Sequence, residues 1–200
     1  MRVRTADRRA AIIETAMEVF REVGYERASM AAISARVGGS KATLYGYFKS
    51  KEELFAAAMI SVMEGQAQDA IALLDAANPD VVQVLTDFGL AYLALLTSSE
   101  TVSLVRIAVA EGANSDLGAR LYALGPERSW KDIASYLAQL QDRKFIRQAD
   151  PHVAAAHLKG LLEAGTIEPL LFGADAWFRP IDAVTRAVQV FLMAYGLHGH

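Results

Sequence analysis

Between Asp7 and Gly24 the apolar residues Ile12, Ile13, Ala16, Phe20 and Val23 recur at steps that place them on one stripe of a helix, with Asp7 as the expected N-cap and Gly24 as the stop. Ser29 stands just ahead of Met30, Ile33 and Val37, a pattern that predicts a second, short helix closed by the Gly38-Gly39 turn. Ser40 opens a third over residues 41–48. The run Ser50-Lys51-Glu52-Glu53 reads as a capping box in front of Leu54, Phe55 and Met59, where a long fourth helix begins. Breaks at Asn78-Pro79, at 97–99, at 112–115, at Gly125-Pro126 and at 148–151 divide the rest into further helices. Asp150-Pro151 is an N-cap followed by a proline at the first helical position, and residues 173–180 separate the last two long helices. Strand-length alternation is nearly missing, so the expected fold class is all-α. It divides into a three-helix head over residues 1–50 and a larger helical body over 51–200.

Charge changes this picture. Residues 1–51 hold ten Lys/Arg against five Asp/Glu, a net +5, whereas residues 52–200 hold ten against eighteen, a net −8. A basic head on an acidic body points to a polyanionic partner for the head alone. Two short helices joined by a tight glycine turn, with a third sharing their core, form a helix-turn-helix, which lays its last helix in the major groove of DNA. Leu44 and Phe48, four apart, can join Ile33 and Val37 in the core, leaving Lys41, Ala42, Thr43, Tyr45 and Tyr47 on the other sides of that helix. Of the two tyrosines, Tyr45 is expected partly in the core and Tyr47 at a phosphate. Ser29 and Ser40 start helices whose free N–H groups suit phosphate oxygens, and Lys51 opens the fourth helix beside them. Arg2 and Arg4 read as a terminal tail, with a minor-groove arm as the alternative.

The segment Ile33-Ser34-Ala35-Arg36-Val37-Gly38-Gly39-Ser40-Lys41-Ala42-Thr43-Leu44-Tyr45-Gly46-Tyr47-Phe48-Lys49-Ser50-Lys51-Glu52-Glu53-Leu54 resembles the signature of tetracycline-repressor (TetR) family regulators, over roughly residues 8–55. The resemblance implies that Tyr47 and Lys51 hold phosphates while Lys41, Thr43 and Tyr45 approach bases or adjacent phosphates. Gly39 stands where that pattern usually has a valine and Gly46 where it often has a larger side chain, which would remove one core contact and one base contact. More weakly, 106–111, 125–128 and 161–172 resemble the AefR-like sensor domain of that family. This second resemblance implies an all-α dimeric sensor, whose cavity, between the fourth and eighth helices, would be walled by Phe88, Tyr92, Tyr122, Trp130 and His157 and would take a mostly apolar small molecule. Arg106, Glu111, Glu163 and Glu168 are polar residues inside apolar segments, open to surface, salt-bridge or ligand-orienting roles.

The last two long helices carry apolar faces with small residues, and a homodimer interface is expected at Leu158, Leu161, Leu162 and Gly165 on one and Val184, Ala187, Val188, Phe191 and Tyr195 on the other. Partners are thus double-stranded operator DNA, a small-molecule effector and a second copy, and the function expected is a ligand-released repressor. With no cysteine, and with His152, His157, His198 and His200 at no zinc spacing, neither a metal nor a cofactor is expected. No nucleophile elbow or phosphate-cradling glycine loop supports an enzyme. The N-terminus lacks the plan of a secretory signal, and the longest uncharged apolar stretch, 88–99, is too short for a membrane span, so a cytoplasmic site is expected. Two alternatives remain: an all-α enzyme or carrier with an incidental basic head, and an architectural DNA binder without a ligand.

Overall fold

The computed structural model describes residues 2–112 and 117–197. Its elements are α1 (Arg2–Arg27), α2 (Met30–Val37), α3 (Lys41–Tyr47), α4 (Lys51–Ala72), α5 (Val81–Leu96), α6 (Ser99–Glu111), α7 (Leu117–Leu124), α8 (Pro126–Asp142), α9 (Pro151–Glu163), α10 (Ile167–Leu171) and α11 (Pro180–Tyr195). One antiparallel bridge, Ile146 with Gly196, is the extended pairing among the described residues. The all-α expectation therefore holds.

The helix boundaries follow local chemistry, with exceptions. Ser29 and Ser40 each accept the backbone N–H three residues on, and Gly38 ends α2 in the left-handed conformation that glycine adopts without strain. Asp150 caps α9 through two N–H groups, with Pro151 behind it. Glu53 reaches back to the N–H of Lys49 at 2.7 Å while Ser50 caps Glu53, so the start of α4 is held from both sides. Asp7 is not a cap. α1 already runs through it, because Arg and Ala upstream are good helix formers and nothing there stops the helix. Gly24, at φ +78°, does interrupt α1, and one more turn follows it to Arg27. The break expected at 112–115 falls mostly on residues outside those described; Gly112 itself is a turn.

The chain forms two compact units. The first comprises residues up to Val62 together with Ile107–Leu121; the second comprises Met63–Arg106 and the residues from Tyr122 onward. A cut after residue 50 would leave out part of the first core: Leu54, Phe55, Ala58 and Met59 of α4 are buried, and Phe55 lies edge-on to Phe20 at 5.0 Å. That core also holds Ile12, Ala16, Ile33, Leu44 and Phe48.

In the second unit α5, α8, α9 and α11 supply one core, including Phe88, Leu93, Ile133, Leu137, Leu158, Leu162, Val184 and Phe191. Gly89 permits its close packing: a Cβ there would come within 2.8 Å of Val184 and 3.0 Å of Leu162. Among the described residues, no single helix is long and apolar enough to cross a membrane.

Candidate nucleic-acid interface and sensor core

The third helix is fixed from beneath and at its start. Leu44 and Phe48 are buried, the ring of Phe48 lies under the Arg9 guanidinium at 5.0 Å, and Ser40 Oγ accepts the Thr43 N–H at 3.1 Å while sharing a 2.9 Å hydrogen bond with the Thr43 hydroxyl. The turn ahead of α3 is held by Ser34, a buried residue the sequence did not single out, whose hydroxyl donates to the Gly39 carbonyl at 2.9 Å. Its polarity within an apolar helix face was the available signal. Arg8 on α1 donates to the Val37 carbonyl at 3.4 Å.

This leaves Ser29, Ser40, Lys41, Ala42, Thr43 and Tyr45 with exposed side chains around two helix N-termini, and Lys49 is exposed at the far end of α3. The expected roles of the tyrosines are reversed in exposure: Tyr45 is 48% exposed, whereas Tyr47 is half-buried, because Tyr45 lies one residue past core-facing Leu44. Gly39 is exposed, and a Cβ there would meet the end of the Arg8 side chain at 2.9 Å; it borders a small cavity lined also by Ile12, Val37 and Leu44. Around Gly46 a Cβ would meet open space.

Lys51 is engaged by its own chain. Its ammonium donates to the carbonyls of Tyr25 at 3.1 Å and Ala28 at 3.4 Å and lies 4.1 Å from the centre of the Tyr25 ring. Tyr25 in turn donates its hydroxyl to Glu52 at 2.9 Å. Burial tends to raise the Glu52 pKa. Hydrogen bonds from its own backbone N–H, Ser50 and Tyr25, with the Lys51 charge, outweigh burial and hold the carboxyl below the usual carboxylate range.

In the second unit three of the five expected sensor residues come together. The buried rings of Phe88 and Tyr92 stack at 5.7 Å, and half-buried Trp130 meets Tyr92 edge-on at 5.4 Å. Tyr122 is 58% exposed, and exposed His157 bonds through Nδ1 to the Tyr195 hydroxyl at 2.6 Å, so neither joins that cluster. The Tyr92 hydroxyl donates to Glu163, whose other oxygen pairs with Lys159 at 2.5 Å. Burial first, then the Glu163 charge, push the Tyr92 phenol well above its ordinary pKa. Of the polar residues left open by sequence, Glu163 is thus an internal partner. Arg106 donates to the Leu170 and Leu171 carbonyls at 2.5 and 3.0 Å, Glu168 is exposed, and the Glu111 side chain lies outside those described.

The expected dimer residues sit elsewhere than on an outer face. Leu158, Leu162, Val184, Ala187, Val188, Phe191 and Tyr195 are buried within one chain, where α9 and α11 pack on α5 and α8. Gly165 lies beyond the end of α9 in a turn with φ +69°, covered by Trp177 and Phe178; Leu161 is half-buried. A stripe at helical spacing marks a buried face without saying what buries it, and here the chain's own helices do.

Residues 12–58 match the family of bacterial regulatory proteins called tetR, and residues 83–197 match the C-terminal domain of AefR-like transcriptional repressors. An uncharacterized HTH-type transcriptional regulator of Bacillus subtilis, YhgD, is 25% identical over 90% of this chain and 91% of its own. A crystal structure from Mesorhizobium loti, assigned to the TetR family of transcriptional regulators, superposes with a TM-score of 0.82 at 27% identity over 97% of this chain and 99% of that one. The flavonoid-responsive regulator FrrA does so with a TM-score of 0.73, also at 27% identity, over 97% of this chain and all of that one.

Proposed function

Because this chain belongs to the TetR family of transcriptional regulators, we propose that it is a repressor that binds a palindromic operator as a homodimer and is released from it by a small, mostly apolar effector. Family members of this kind are not enzymes. The observation that carries the reading is the surface of α3, where Lys41, Ala42, Thr43 and Tyr45 stand exposed over buried Leu44 and Phe48 between two serine-capped helix starts. Capped starts offer N–H groups and a positive dipole end to phosphates, while exposed side chains on the helix reach base edges.

Dimerisation is supported by what α9 and α11 leave uncovered. Val153 on α9 and Ile181, Val190 and Met193 on α11 are 46–65% exposed, and Ala156, Gly160 and Ala164 beside them are small enough for close helix approach. These outer residues replace the buried set as the proposed interface. An effector site is supported by the Phe88–Tyr92–Trp130 cluster with its one charged edge at Glu163, a mostly apolar wall with few polar groups. FrrA responds to a flavonoid, an aromatic ligand class suited to such a wall. Cytoplasmic residence follows from the proposed contact with DNA.

The test starts from a random duplex pool. The full-length protein should enrich a two-fold symmetric sequence, and Lys41→Ala and Thr43→Ala should alter which bases are preferred. Enrichment of no sequence would contradict the reading. For the effector, Trp177→Phe leaves Trp130 as sole reporter; a flavonoid that quenches it and releases the enriched duplex supports the placement. Quenching without release would contradict an inducer role.

A further inference from the structure

α1 ends, α2 begins and α4 begins within one small neighbourhood of the first unit. After Gly24, the carbonyls of Tyr25 and Ala28 lie at the end of α1 and just ahead of the cap of α2. The Tyr25 carbonyl accepts the Ala28 N–H at 3.2 Å, and groups at a helix end, outside the regular i to i+4 ladder, take further donors from side chains. Lys51, the first residue of α4, supplies two of its three N–H groups to them and sets its charge over the Tyr25 ring. The next residue, Glu52, accepts the hydroxyl of that same tyrosine. The ring is fixed by Phe55 at 4.7 Å and Phe20 at 5.9 Å.

Two consecutive residues of α4 therefore grip one tyrosine, from its backbone carbonyl and from its ring hydroxyl. Contacts at both ends of one tyrosine, its backbone carbonyl and its ring hydroxyl, constrain an angle and not merely a distance.

We propose that Tyr25, Lys51 and Glu52 are the positioning residues of the DNA-binding head, setting the angle between α4 and the α2–α3 pair, so that Lys51 acts chiefly as a pin and not as a dedicated phosphate ligand. This rests on the DNA-binding reading above and adds to it. The hydroxyl–carboxylate bond is charge-assisted and so among the stronger kinds. The first turn of α4 is thereby tied to the junction of α1 and α2, the helix on which α3 packs.

The two views of Lys51 make opposite predictions for its neighbour. Simple electrostatics says that Glu52→Ala, which removes a negative charge close to DNA, tightens binding to every duplex. The positioning view says it weakens specific binding. Tyr25→Phe carries no charge change and keeps the ring between Phe20 and Phe55; electrostatics leaves it neutral, whereas positioning makes it weak.

The experiment uses the full-length protein, the duplex it enriches from a random pool, and a mixed-sequence duplex as the non-specific probe. We expect Tyr25→Phe and Glu52→Ala each to lower affinity for the enriched duplex about tenfold, or ~1.4 kcal/mol. Affinity for the mixed duplex and the salt slope of Tyr25→Phe should stay as in the parent, because its phosphate contacts are intact. The double variant should be no weaker than the weaker single, as residues in one interaction require. A change in the specific-to-mixed ratio separates positioning from partial unfolding, which would lower both affinities together. Should Glu52→Ala melt early, Tyr25→Phe decides alone. Tighter binding by Glu52→Ala with parental binding by Tyr25→Phe overturns the proposal while leaving the head a DNA-binding unit. A parent that enriches no duplex overturns both.

Discussion

At the scale of single residues, two buried tyrosines carry opposite expectations. The Tyr92 hydroxyl is spent on Glu163, so Tyr92→Phe leaves a partly buried carboxylate short of a donor and should cost about 1–3 kcal/mol of stability. The buried Tyr136 hydroxyl has no hydrogen-bond partner among the described residues, so Tyr136→Phe removes a desolvated group and should leave the melting temperature equal or higher. Paired thermal melts check both, and a larger loss from Tyr136→Phe than from Tyr92→Phe would contradict the assignment. Glu52 adds a pH dependence. Its folded-state pKa is lowered, so its contribution is present above the ordinary carboxylate range and is lost as pH falls through the lowered value. Melts from neutral pH down to about pH 3 should show the Glu52→Ala variant losing less on acidification than the parent; equal losses would mean that this carboxyl is not stabilised by the fold.

At the scale of elements, a tight constraint lies where α5 meets α9 and α11. An alanine inside a helix ordinarily gains up to ~1 kcal/mol over glycine, but at Gly89 the new methyl would press on Val184, which is fully buried and, being β-branched in a helix, strongly prefers one rotamer. Overpacking costs about 1–3 kcal/mol, so Gly89→Ala should destabilise the protein in a denaturant titration; a gain would mean that the helices can part freely. Ser40→Ala should remove about 1 kcal/mol from the start of α3, read as weaker binding to the enriched duplex with little change in global melting. Most of these elements were legible in the chain. Ser29, Ser40, Gly38 and Asp150-Pro151 act through neighbours two to five residues away, and local chemistry of that range is written in sequence. What was not legible depends on distant partners. The buried faces of α9 and α11 read equally well as a dimer seam or as monomer core, and only the positions of α5 and α8 decide it. The bonds from Lys51 to the carbonyls of Tyr25 and Ala28, 26 and 23 residues earlier, cannot be placed from spacing either. The same holds for Glu163 with Tyr92, 71 residues apart.

At the scale of the whole molecule, the account requires two copies. One copy presents one α3, and a two-fold operator needs two recognition helices about 34–36 Å apart to enter successive major grooves. Introducing charge on the outer face of α11, as Val190→Glu with Met193→Glu, should shift sedimentation from a dimer to a particle near the 21.7 kDa chain mass while leaving each copy folded, since both residues are exposed. A dimer unaffected by both charges would place the interface on another face. Under the proposed function, ligand and operator would oppose each other, with a coupling typically about 1–3 kcal/mol in either direction. The most direct test of the central claim is a cleavage-protection footprint of the full-length protein on the duplex it enriches. The account predicts two symmetric protected half-sites, centred one helical turn apart on one face of the DNA and occupied by two chains; protection of a single unsymmetric site, or uniform protection without regard to sequence, would contradict it.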